Sequence, residues 1–233
     1  LGVVVQTVDL LGSLKRADLM GVDTSLIGRI QELSQAGWKL ARHARTLAPD
    51  SPDIKVLQAL VMAVASPWLD VEQSVATVRK AMLLLQDVVD TAPGTMGGLA
   101  YTVLGRIYFD LPPLLGGDLP RSITLLEEAV RLNSHNIQAL RYLAEAYDQE
   151  LEEDKATDVM RSMLLLEPGP GEYQLFADEW RLAQGLAGRL QALELRDALA
   201  AKRQVLLNAH PELLTRQSTA VGGHGGDHPL DGE

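Results

Sequence analysis

The sequence predicts an all-α fold, a stack of antiparallel helix pairs with a C-terminal capping helix. Three observations point there. Apolar residues recur at intervals of three and four between short Pro/Gly breaks. Strand-like alternation never persists beyond a few residues. Leu and Ala are abundant while aromatics reach only 4%, a mixture suited to helices packed through small and aliphatic side chains.

The breaks fall at Pro49–Pro52, Pro67, Pro93–Gly94, Pro112–Gly117, Ser134–Asn136, Pro168–Gly171 and Pro211. Val56, Ala59, Leu60 and Ala63 form one apolar stripe, and Val78, Ala81, Met82, Leu85 and Val88 form another. The last long helix is expected from about Asp178 to Ala209, with Leu182, Leu186, Leu190, Leu193 and Leu199 as its apolar face. Asp178 and Glu179 would sit at its positive dipole end. Residues 1–213 are read as a single helical-repeat domain. Residues 214–233 are rich in Gly, His and Asp and are expected to be a disordered tail.

An internal repeat sharpens this reading. Counting from Ile137, Leu140, Leu143, Ala144 and Tyr147 fall at the large, Leu, small and aromatic positions of a 34-residue tetratricopeptide first helix. Ala156, Met160, Met163 and Pro168 then match the second. Small residues at Ala144 and Ala156 let two helices approach closely. One pair cannot bury its own apolar face, so neighbouring pairs must stack.

The preceding unit places Tyr101, Leu104, Gly105 and Tyr108 on a first helix and Ser122, Leu126 and Ala129 on a second. The spacing from Gly105 to Ser122 is seventeen, where Ala144 to Ala156 is twelve. The five extra residues lie in Asp110–Asp118. The best repeats are therefore 98–133 and 137–170. Two earlier units are detectable only by second helices, Gly37/Ala41/Ala44/Pro49 and Ala81/Leu85/Val88/Pro93. The final helix would cover the exposed end of the stack.

Composition excludes several functions. A net charge of −10 without a Lys/Arg block disfavours nucleic acid and anionic membranes. No stretch is long and apolar enough for a transmembrane span. The absence of cysteine removes disulfides, thiolate metal sites and a cysteine nucleophile. No catalytic motif is present: no Gly-x-Ser-x-Gly, phosphate loop, His-Glu-x-x-His or dinucleotide fingerprint. His224 and His228 stand four apart beside Asp227, but the surrounding glycines argue against a helix that could fix them on a metal. We expect no catalytic residue, no metal and no cofactor.

The insertion within GRIYFDLPPLLGGDLPRSITLLEEAVRLNSHNIQALRYLAEAY resembles that of the TRAP transporter T-component family, the TatT-like proteins of the tetratricopeptide superfamily. Pro112, Pro113, Gly116, Gly117 and Asp118 carry the resemblance, which covers about Thr95–Pro168. It implies a bacterial periplasmic protein that associates with the substrate-binding component of such a transporter. Lipid anchoring in the precursor is implied too, although the anchoring cysteine is absent here. The chain begins at Leu1, which reads as a trimmed chain; a cytoplasmic location is the alternative.

The predicted function is a non-catalytic protein–protein interaction module of a TRAP-type transporter or another envelope complex. The alternatives are a carrier of a small apolar ligand and a structural, homo-oligomeric subunit of a larger assembly or filament. Two partner-binding surfaces are expected. One is the loop Pro112, Pro113, Leu114, Gly116, Gly117 and Asp118, stiffened by its prolines; the plainer role of Asp118 is to cap the next helix. The other is the concave face at Arg106, Arg141 and Tyr142, where arginines would meet a partner's carboxylates. Tyr108 and Tyr147 are expected to be core residues. Trp38, Trp68 and Trp180 are the largest apolar groups, more naturally core than interface.

Overall fold

The structure, a computed structural model, describes residues 24–66 and 69–213. Trp68 and the 214–233 tail with its histidines lie outside the described residues. Nine α-helices and two 3₁₀ turns, and no strand, occur among the described residues. In chain order they are α1 (Thr24–Leu47), α2 (Pro52–Ala65), α3 (Val71–Thr91), α4 (Leu99–Asp110), α5 (Leu119–Leu132), α6 (Ile137–Gln149), α7 (Glu153–Leu164), α8 (Tyr173–Arg189) and α9 (Leu193–Ala209). The all-α helical-repeat expectation holds.

The described residues form two compact units, one up to Val159 and one from Met160, with the boundary inside α7. In the first unit each helix from α1 to α5 packs on its successor, and α4 also contacts α2 and α6. That alternation is how stacked helix pairs bury a continuous apolar seam. Val56, Ala59, Met62, Ala81, Leu85, Val88 and Leu104 form its centre. Each fully buried leucine there contributes about 1.5–3 kcal/mol.

Local chemistry sets the helix starts. Asp70 caps α3 by accepting from the Gln73 N–H at 2.8 Å. Asp118 caps α5 by accepting from the Arg121 N–H at 3.0 Å, and Pro120 occupies its first turn. Asn136 caps α6 through Ala139 N–H, and its Nδ2 donates to the buried Thr102 hydroxyl of α4 at 3.0 Å. One side chain thus starts a helix and ties it to the previous repeat.

The five-residue insertion leaves the small-residue contact intact. Ser122 Oγ donates to the Gly105 carbonyl at 2.7 Å. A Cβ on Gly105 would meet Leu126 Cγ at 2.8 Å, so the close approach of α4 and α5 requires glycine. Gly98 approaches Leu132 at the other end of the pair, so the two helices run antiparallel. Ala144 and Ala156 are likewise fully buried.

The second unit corrects the expected C-terminal helix. The segment read as one helix from Asp178 to Ala209 is two, α8 and α9, broken at Leu190–Ala192. Gln191 takes a left-handed conformation with φ of 54°, and Ala192 N–H donates to the Ala187 carbonyl at 2.9 Å. This is the reversal a glycine usually performs. The Leu193 of the expected stripe is consequently exposed, and Leu195 is buried instead. Tyr173 and His210 stack with centroids 3.8 Å apart, and Arg203 Nε donates to the Ala177 carbonyl, so α8 and α9 are antiparallel. Glu179, expected at a helix start, lies fully buried in mid-helix. Trp180 is buried against Phe176, its Nε1 donating to Met163 O at 3.1 Å. It is core, as the plainer reading held.

Candidate functional site

The structure brings Arg106, Arg141 and Tyr142 together on the face shared by the first helices α4 and α6. Two guanidiniums lie against the Tyr142 ring, with Arg106 Cζ 4.6 Å and Arg141 Cζ 4.3 Å from its centroid. Arg106 also lies over Phe109 at 4.8 Å. Such contacts hold the cations over the electron-rich ring faces.

Two carboxylates lock this arrangement. Arg106 grips Asp110 with Nε at 3.0 Å and Nη2 at 2.8 Å, a bidentate pair one helical turn apart. Its Nη1 pairs with Glu145 across the repeats. Glu145 also accepts from Arg141 Nη1 at 2.5 Å. Burial alone would lower the Arg106 pKa, but its surroundings, the Asp110 carboxylate foremost and then Tyr142 and Glu145, raise it beyond that effect and the opposing one of Arg141. The guanidiniums are therefore fixed cations inside a charge-balanced cluster.

The cluster differs from the expected one in a respect that matters for binding. Arg141 is only 4% exposed, so it supports Tyr142 and Glu145 from beneath. The accessible groups are Tyr142, Arg106 and Asp110, all at least partly exposed. Asp110 and Glu145 escaped the sequence reading, although Arg106/Asp110 and Arg141/Glu145 both have the four-residue spacing of helical ion pairs.

The loop departs from Asp110, the last residue of α4. Pro113–Leu115 form a 3₁₀ turn, and Gly116 takes a left-handed φ of 99°. A Cβ on Gly117 would lie 1.8 Å from the Leu111 carbonyl oxygen, so only glycine fits. Gly117 N–H donates to Pro112 O, and Asp118 N–H donates to Tyr108 O, both at 3.0 Å. The loop is pinned at its base, and Leu114 stands 98% exposed at its tip. Asp118 caps α5, the plainer role, and its carboxylate is occupied there.

The other tyrosines serve packing. Tyr147 is buried, and its hydroxyl donates to Glu127 Oε1 at 2.5 Å. Burial and that bond push its pKa well above the usual tyrosine value. Tyr108 lies half-buried under Arg121, whose Cζ is 4.6 Å from its centroid. Among the described residues no group of three or more His, Asp or Glu could hold a metal, and no helix is long and apolar enough to cross a membrane.

No protein-family model and no curated protein matches the chain. Among solved structures it is similar to TTC0263, a thermophilic TPR protein of Thermus thermophilus. The identity is 18% and the TM-score 0.57, over 84% of this chain and 96% of that one. It is also similar to MamA, at 17% identity and TM-score 0.48, over 82% and 94% of the respective chains. The first likeness shows the fold, a tetratricopeptide-type stack of helix pairs. Neither likeness supports the transporter T-component resemblance, which rests on the insertion alone.

Proposed function

We propose that this chain is a non-catalytic docking module, and that the Arg106–Tyr142 face and the adjoining Leu114 loop engage another protein. The observation that carries the reading is the partly exposed Tyr142 ring with two locked guanidiniums against it. Tyr and Arg are the residues that most often dominate interface energies. Side chains already fixed by Asp110 and Glu145 lose little further entropy when a partner arrives. Leu114 adds an apolar anchor on a loop that cannot easily collapse.

The finer reading is a periplasmic accessory of a TRAP-type transporter, docked on its substrate-binding protein. Its support is the Pro112–Asp118 insertion. Capture from the native cells with the wild type and with Tyr142→Ala and Leu114→Asp tests both levels. The wild type should retain a stoichiometric partner that the variants lose while keeping their helical circular dichroism. Equal capture by all three contradicts docking at this face. A partner that is not a periplasmic substrate-binding protein removes the finer reading and leaves the coarser one.

A further inference from the structure

A second cluster of cations and one aromatic lies far along the chain from Tyr142. Trp38, Arg42 and Arg45 of α1, the following Pro49, Gln58 of α2 and Lys80 of α3 line a concavity of about 530 Å³. No Asp or Glu lines it, and Arg42, Arg45 and Lys80 form no ion pair among the described residues. Arg45 Nη1 donates to Gln58 Oε1 at 2.9 Å, a neutral acceptor. Gln58 is itself only 4% exposed, so it fixes the guanidinium while leaving its charge uncompensated.

Three unneutralised cations around one hollow repel each other and attract anions. The whole chain carries a net charge of −10, so this attraction is local and acts within about a Debye length of the hollow. The volume lies within the range of ligand pockets and far exceeds what a lone inorganic ion fills. Trp38 and Pro49 supply apolar wall for the stem of a longer side chain, with the guanidiniums placed to take its carboxylate.

We propose that this concavity binds an acidic peptide segment, with Arg42, Arg45 and Lys80 receiving its carboxylates and Trp38 its aliphatic stems. This site is separate from the docking face at Tyr142 and stands or falls without it. The test is titration of the full chain with acetyl-hexaglutamate-amide at low salt, read by calorimetry and by the Trp38 indole N–H resonance. The peptide should bind and move the Trp38 signal. Arg42→Gln/Lys80→Gln, at two exposed positions, should weaken it by about tenfold or more, while Tyr142→Ala should leave it unchanged. The proposal is overturned by no binding at millimolar peptide, by equal affinity in the double variant, or by a loss in Tyr142→Ala. A Trp38 shift with inorganic phosphate but none with the peptide overturns it as well.

Discussion

Two regions of the first unit place arginines in the company of an aromatic residue and treat the charge in opposite ways. At Tyr142 the two guanidiniums face Asp110 and Glu145, and the cluster is balanced. At Trp38, Arg45 is held by the neutral amide of Gln58, and Arg42 and Lys80 line the same hollow. The same residue types therefore build a rigid platform in one place and an unfilled electrostatic demand in the other. A buried charge paired within the fold is costly to strip of its partner, whereas charge left unneutralised costs a little stability and is available to a partner.

Removing an acid from the balanced cluster is the most disruptive way to break this contrast. Glu145→Ala takes the carboxylate away from the buried Arg141 and unties Arg106 from α6. The expected loss is about 2 kcal/mol by urea unfolding, below the full range for buried pairs because Glu145 retains some solvent contact. Gln58→Ala comes next. It strips Arg45 of its fixed acceptor and opens a small gap, with an expected loss of about 1 kcal/mol.

The fold was legible where spacing alone dictates contact. Gly105 and Ser122 meet, and Ala144 and Ala156 are fully buried, because helix pairs must approach closely, and small residues at those intervals announce it. The loop base was legible through Gly117 and Asp118, whose types match the backbone and cap they serve. The break at Leu190–Ala192 was not legible. A leucine stripe runs straight through it, and the reversal is made by Gln191, a residue with no special freedom at positive φ. The residues at Tyr142 were identifiable from the repeat register, but the burial of Arg141 depends on packing across repeats. The Trp38 concavity was invisible for a similar reason: three separate helices supply its walls.

Tyr147 gives a smaller, pH-resolved check on how α6 is tied to α5. Its folded pKa is raised by burial and by the bond to Glu127, so the folded state keeps its proton more tightly than the unfolded chain. The stability from this difference is fully present below about pH 10, the unfolded value, and is lost as pH rises above it. Tyr147→Phe should therefore flatten the fall in Tm above pH 10, and an unchanged fall would contradict the assignment.

The smallest stability effect belongs to the unfilled site. Arg42→Ala/Lys80→Ala should leave the unfolding free energy within about 0.5 kcal/mol of the wild type, with any change towards greater stability. Added salt should narrow that difference by screening the repulsion.

Docking at the Tyr142 face is tested most directly by a photo-cross-linking amino acid placed at position 142, at position 80 and at the exposed Leu83 of α3, in the native cells. A discrete cross-linked protein is expected from position 142, a discrete product from position 80, and none from position 83. No product from position 142, or the same products from position 83, would contradict a docking role for this face.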